Sequence, residues 1–255
     1  MSRETRDQAL YDEIATKYMR KDVVQSSALA RKSQLLAAMQ PVLDKRGTLG
    51  TIVDVGCGIG APGVFLNGRY THYIGLDQSA EMIEAGKQFN AGLSNVTLLA
   101  DNVKESSVAD ETADLILCVG VLHHMTGLDD VMQSMVRMAK PGADLVVIEP
   151  QNGNPLIQFM RWVRTKIDAG YSEEQIFFSE QALLDLFQRH GITNLDIAYH
   201  GFLATPFAQV ILNPQAVSVP LSRFAVKIDS LLNHRLRGPL RKLSFNIVLT
   251  GTFPK

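Results

Sequence analysis

The chain has 255 residues, 46% hydrophobic and 20% charged, which suits a single domain with a sizeable core and modest insertions better than two equal domains. A net charge of −1 gives the whole chain no electrostatic case for nucleic acid, and two cysteines form neither a disulfide framework nor a zinc spacing. A polar N-terminus without an apolar signal core, and apolar runs too short to span a bilayer, lead us to expect a cytoplasmic protein without a resident metal.

In chain order, residues 8–19 and 23–43 read as two helices. From residue 51 short apolar runs alternate with helical stretches. Strands are predicted at Thr51–Val55, His72–Asp77, Val96–Ala100, Asp114–Val119 and Asp144–Glu149, with helices near 61–68, 79–91 and 128–139 between them. Strands spaced by helices imply βαβ units, a parallel sheet and helices on both faces. In 128–139, Leu128, Val131, Met132, Met135 and Ala139 share one helical face, a core pattern rather than a cofactor box, and Pro141-Gly142 stops the helix. After residue 150 the alternation loosens. Helices are predicted at 155–168 and 179–190, a strand at Thr193–Tyr199, then a proline-interrupted segment and a last strand at Leu243–Phe253.

The string IVDVGCGIGAPG, residues 52–63, carries the chemistry. A hydrophobic strand enters Gly56, Gly58 and Gly60, where a tight turn and bare backbone let a ligand lie close and a following helix offers amides to an anionic group. Gly58, Gly60 and Gly63 also satisfy the dinucleotide fingerprint, and a tight turn with no ligand is the plain alternative. Asp77 ends the next strand, placed to accept both ribose hydroxyls of an adenosine, a feature NAD enzymes share. Asp101 closes the third strand, where a carboxylate can meet an adenine amino group. Asp54 lies inside the glycine motif, where an acid suits a cationic ligand group and not a pyrophosphate.

Residues 50–150 resemble the class I S-adenosylmethionine-dependent methyltransferases, in particular the small-molecule branch that includes the ubiquinone/menaquinone and sterol enzymes. The resemblance rests on DVGCGIG, IGLDQSAEMIEAGK, LLADNV, ADLILCVGVLHHM and MAKPGADLVVIEP, with an upstream YDEIATKY like the N-terminal cover helix of that branch. It implies an α/β doubly wound fold, a seven-stranded mostly parallel sheet of order 3-2-1-4-5-7-6 with the last strand antiparallel. Residues 1–46 would form a helical cover, 47–150 the cofactor-binding core, and 151–255 the last two strands with lid insertions at 151–190 and 202–240. It further implies that Asp54, Gly56, Cys57, Gly58 and Gly60 border the methionine part of S-adenosylmethionine, and that Asp77 takes the ribose with Gln78 and Met82 near the adenine. Asp101 and Asn102 would read the adenine edge, Val119 and Gly120 would meet the methionine moiety, and Tyr11 and Tyr18 would close over the site. A packing role serves Tyr18 equally well.

Methyl transfer from a sulfonium is an in-line displacement by an activated donor, so the protein chiefly orients the nucleophile and excludes water. A base is needed only for a poorly acidic oxygen, a protonated amine or a carbon acid. His123 and His124 follow the fourth strand and Glu149 ends the fifth, and the favoured reading is His124 as base with Glu149 as its orienter; helix capping by the histidines is the alternative. CVGVLHH lacks the Asn/Asp-Pro-Pro-Tyr loop of amide- and adenine-methylating relatives, and Val119 follows Cys118 where cytosine-carbon enzymes have proline. Charge is uneven: residues 1–150 hold 14 Lys/Arg and 19 Asp/Glu, whereas 202–255 hold 7 and 1. In 222–237, Phe224, Ile228, Leu231 and Leu232 share a helical face opposed by Arg223, Lys227, His234 and Arg237. Such a helix can lie on an anionic membrane, or serve as a lid with its apolar face on the core. These features favour a hydrophobic or aromatic small acceptor, such as a lipid, quinone precursor or polyketide, and no nucleic acid. The competing readings are a cofactor-binding or membrane-associated scaffold without turnover and an NAD-dependent oxidoreductase.

Overall fold

The computed structural model describes residues 3–155, 157–159, 162, 178–233 and 238–254, with a few side chains of the first helix, Tyr11 among them, outside the description. Two helices lead, α1 (Arg3–Val23) and α2 (Gln25–Arg46), both longer than the pattern predicts. Next come β1 (Leu49–Val55), α3 (Ala61–Phe65), β2 (Tyr70–Asp77), α4 (Ala80–Phe89), β3 (Val96–Ala100), β4 (Ala113–Val119), α5 (Leu128–Met138) and β5 (Ala139–Pro150). The chain closes with α6 (Glu180–Gln188), β6 (Thr193–His200), α7 (Thr205–Gln209), α8 (Gln215–Leu232) and β7 (Asn246–Thr252). Of the helix predicted at 155–168, residues 155, 157–159 and 162 are helical and the others lie outside the described residues. Sequence periodicity missed α7 altogether, a single turn led by Pro206, too short to show a period.

The seven strands form one sheet of order β3-β2-β1-β4-β5-β7-β6, as the resemblance implies. β1 to β5 pair in parallel, and β7 runs antiparallel between β5 and β6. This arrangement removes the dinucleotide reading, whose doubly wound sheet has the order 3-2-1-4-5-6.

Side-chain alternation along the strands explains the layers. Val53, Val55, Ile116, Cys118, Leu145 and Val147 face one core, closed by Val131, Met132, Met135 and Met138 of α5 and by Leu183 and Phe187 of α6. Ile52, Leu115, Leu117, Val146 and Ile148 face the other, closed by Leu35, Met39 and Leu43 of α2 and Ile83 of α4. The methionines of α5 are therefore core, as their spacing predicts.

In α8 the structure corrects the lid reading. The helix starts at Gln215, and its buried face is Ser218, Val219, Ser222, Ala225 and Asp229, whereas Phe224 and Leu231 are exposed. Small and polar residues let α8 approach α2 closely: Ser222 Oγ donates to Ser26 O (2.7 Å) and Ser26 N–H donates to Gln215 Oε1 (3.1 Å). Asp229 accepts the N–H groups of Phe202, Leu203 and Ala204 at 2.9, 2.7 and 3.0 Å, tying α8 to the start of α7. The expected apolar face thus points away from the core. His234 and Arg237 lie outside the described residues.

Candidate active site

The site forms where the parallel strands end, because parallel strands release their loops on one edge of the sheet. β1 enters the glycine loop with three positive-φ glycines, Gly56, Gly58 and Gly60. Gly56 is fixed by close approach: a Cβ there would sit 2.1 Å from Val121 Cγ2, so only glycine lets the β1 and β4 loops touch. Gly58 differs, since a Cβ there would meet nothing within 4 Å. Its bare backbone faces open space, the surface a ligand needs. Cys57 turns its buried thiol toward Gly75 and Leu98 of the neighbouring strands, so it contributes backbone to the loop and side chain to the core.

Asp77 pins the same loop. Gly58 N–H donates to Asp77 Oδ2 (2.8 Å) and Ser79 N–H to Asp77 Oδ1 (3.0 Å). Burial raises the Asp77 carboxyl above its ordinary range, and these two amides partly counter it. Asp101 N–H donates to Asp77 O (2.9 Å), which draws the end of β3 to the same edge. The Asp101 carboxylate accepts the Ser107 N–H (2.7 Å) and hydroxyl (2.8 Å), and Asn102 Oδ1 caps the following turn by accepting Lys104 N–H (3.1 Å).

Asp54 is the most unusual group of the edge. It is 1% exposed, accepts the Tyr73 hydroxyl on Oδ2, and leaves Oδ1 buried without a hydrogen-bond partner among the described residues. Burial pushes its carboxyl up to about 7, against the lowering effect of the Tyr73 hydrogen bond. A buried acid with an unpartnered acceptor fits a cationic ligand group and is unsuited to a phosphate. Burial and the adjacent acid raise the Tyr73 hydroxyl well above its usual value, so Tyr73 keeps its proton and acts as donor.

On the far side of the loop, Glu149 at the end of β5 is fully buried. Its Oε1 accepts the N–H groups of Val121 and Leu122 at 2.9 and 2.8 Å, and its Oε2 lies 2.7 Å from His123 Nδ1. The expected His124–Glu149 pair is therefore realised as His123–Glu149. The reason is local: residues 122–124 make one 3-10 turn, which turns His123 inward and leaves His124 half-buried, the two ring centroids 4.0 Å apart. Gly120 N–H donates to Ile148 O (2.7 Å), so Val119 and Gly120 hang from β5 as well.

Several residues of this edge escape sequence reading. Asp12 of α1 accepts the Ser79 hydroxyl (2.5 Å), and Gln8 donates to Gln78 O (3.0 Å), so α1 lies along the turn after β2. Only the Ser79 N-cap, whose Oγ accepts Met82 N–H (3.1 Å), has a local signal, a serine just before an apolar-periodic helix. Asp12 and Tyr73 have none, because their partners are 67 and 19 residues away. Met82 is 2% exposed in a cluster with Ala15, Ile59 and Ala61; Tyr18 packs on that cluster, the Arg31 guanidinium carbon 5.4 Å from its ring centroid. Tyr11 lies on α1 with its side chain outside the description. Among the described residues no group of three His, Cys, Asp or Glu is placed to hold a metal ion, and no helix is long and apolar enough to cross a membrane.

Comparison with known proteins agrees with this geometry. Residues 52–142 match the model of the family described as "Methyltransferase domain". The chain is 28% identical over 214 residues to methyltransferase phqN of Penicillium fellutanum, covering 75% of this chain and 64% of that one. It is 29% identical over 153 residues to a demethylmenaquinone methyltransferase of Shouchella clausii, covering 57% and 64%. The matched stretches thus span somewhat under two thirds of these relatives' length. Among solved structures, an S-adenosylmethionine-dependent methyltransferase of Thermotoga maritima superposes with a TM-score of 0.65 over 96% of this chain and 98% of that one, at 19% identity. Residues 52–142 are thus a methyltransferase domain, and the chain as a whole has the fold of the S-adenosylmethionine-dependent methyltransferases.

Proposed function

We propose that this protein transfers the methyl group of S-adenosylmethionine to a small hydrophobic or aromatic acceptor. The observation that carries the donor is Asp54: a buried carboxylate with one oxygen that has no hydrogen-bond partner among the described residues, beside a glycine loop whose Gly58 faces empty space. Such a site suits a nucleoside carrying an ammonium and a sulfonium. Bound there, S-adenosylmethionine would supply an electrophilic methyl group. Asp54 and the backbone at Gly58 and Gly120 would hold its methionine part, Asp77 its ribose, and Asp101 and Asn102 its adenine edge.

Glu149 is a positioning residue in this reading. With one oxygen on two backbone amides and the other on the His123 ring, it fixes the loop over which the acceptor must lie. We assign the acceptor side to His124, the more exposed of the two histidines. An apolar acceptor is supported by the chain that follows β5, which carries exposed, stacked Phe159 and Trp162 rings (centroids 6.0 Å apart), and by a relative named for demethylmenaquinone.

The test is thermal unfolding with ligands. S-adenosylmethionine or S-adenosylhomocysteine at about a hundred times its dissociation constant should stabilise by about 2.7 kcal/mol, and NADH should not. Stabilisation by NADH alone would sink the proposal. With a panel of quinol, phenol and fatty-acyl acceptors, released S-adenosylhomocysteine marks turnover. Cofactor binding with no release on any acceptor would favour a scaffold without turnover.

A further inference from the structure

The outward face of α8 is apolar along its length. Val217, Leu221, Phe224 and Leu231 are 55%, 52%, 63% and 45% exposed, and half-buried Ile228 completes a run spaced by four, three, four and three residues. That spacing is one continuous stripe on a helix of about 27 Å. The opposite face is held on α2 by the Ser222–Ser26 and Gln215–Ser26 bonds, so the helix cannot roll the stripe inward without breaking them. Loop residue Leu203, 49% exposed, is fixed beside the second half of the helix through its N–H bond to Asp229.

The charges around the stripe select its occupant. Arg223 and Lys227 are exposed beside it. Asp229 is the single acid in residues 202–255, and it is buried, with both carboxylate oxygens engaged by backbone amides. The C-terminal fifth thus presents cations and no exposed carboxylate around an apolar ridge. A symmetric pairing of two such helices would set Arg223 and Lys227 of each copy near their counterparts, with no exposed acid on the helix to compensate. An anionic lipid surface offers both an apolar layer and negative charge.

We infer that α8 docks this protein on anionic membranes, with Leu221 and Phe224 entering the acyl boundary and Arg223 and Lys227 meeting lipid phosphates. The inference does not rest on methyl transfer: if S-adenosylhomocysteine fails to bind, the reading of the active site falls and lipid docking still stands or falls on its own measurement.

Flotation of the full chain with vesicles of phosphatidylcholine and phosphatidylglycerol, in about equal parts at low salt, tests it. The wild type should float with these vesicles and stay at the bottom with phosphatidylcholine alone. Binding should fall about tenfold or more in Leu221→Glu/Phe224→Glu and, separately, in Arg223→Glu/Lys227→Glu. All four side chains are solvent-exposed, and a melting temperature within a few degrees of wild type shows that each variant is folded. Three results would overturn the inference: wild type left at the bottom with anionic vesicles, a folded apolar variant that floats like wild type, or a wild-type dimer that the apolar variant converts to monomer. The last would assign the stripe to a second copy of the chain.

Discussion

Asp54 concentrates the site's electrostatics in one carboxyl. Burial raises it to about 7, well above the 3.8 of an ordinary aspartate. A folded-state value above the unfolded one means that the folded chain binds more protons between those two values, so stability declines as pH rises from about 4 through about 7. The full effect is on the order of 4 kcal/mol. We expect the unliganded protein to lose melting temperature between about pH 4 and pH 7, and Asp54→Asn to flatten that loss. Asp77 is raised in the same direction by burial, so the contrast between wild type and variant isolates Asp54. A cationic ligand favours the ionised carboxylate, so cofactor affinity should rise with pH up to about 7 and proton release should appear in titration calorimetry with buffers of different ionisation enthalpy. A pH-independent wild-type affinity would remove Asp54 from the ligand's surroundings.

Glu149 makes the second residue-scale prediction. Glu149→Ala leaves two backbone amides and a histidine ring without their buried acceptor and should destabilise by roughly 2–5 kcal/mol in denaturant unfolding. His124→Ala should cost little stability while lowering turnover with an unchanged dissociation constant for S-adenosylhomocysteine. Turnover equal to wild type would exclude His124 from the acceptor side. The sequence placed both histidines and the glutamate at one strand edge. It could not say which ring turns inward, because a 3-10 turn at 122–124 makes that choice.

At the scale of elements, α8 shows where hydrophobic periodicity fails. Its large apolar residues predict a core face, yet it packs through serines, an alanine and an aspartate. Its partner α2 presents small residues there, Ser26 and Ala30, and helices with small residues at the contact approach closely and bond through polar atoms. Asp229 is the fastening of this arrangement. Asp229→Ala should free the 202–204 amides, destabilise the protein by roughly 2–4 kcal/mol and raise amide exchange in 202–232 first, whereas Asp229→Asn keeps one acceptor and should cost less. Exchange unchanged in that segment would show the cap to be dispensable. The strands, by contrast, were legible: buried on both faces, they read as short continuous apolar runs, and β3 matches its predicted bounds.

For the whole molecule, the carboxyl edge is one connected structure. The β1 loop touches the β4 loop through Gly56 and Val121, Asp77 holds the β1 loop from β2, and Glu149 holds the β4 loop from β5. α1 joins this edge through the Asp12–Ser79 and Gln8–Gln78 bonds and through Ala15, packed with Ile59, Ala61 and Met82. Such a cover opens at lower free energy than the central strands. Saturating S-adenosylhomocysteine should therefore slow amide exchange across residues 3–23 more than across β1 and β4, and equal effects in both would argue against α1 as the cover.

What the sequence determined by itself was the succession of strands and of the helices other than α7, the glycine loop and the acids at successive strand ends. These are local patterns: apolar runs, turn residues, and carboxylates at fixed distances along the chain. Through the resemblance that the strings of residues 50–150 carry, they implied the donor and the order of the sheet. Tertiary structure decided the rest. Tyr73, 19 residues away, met Asp54; Glu149 took His123; and α8 turned its apolar stripe to the outside. Each of these depends on partners distant in sequence, and burial of a side chain is a property of what packs against it, which no local pattern contains.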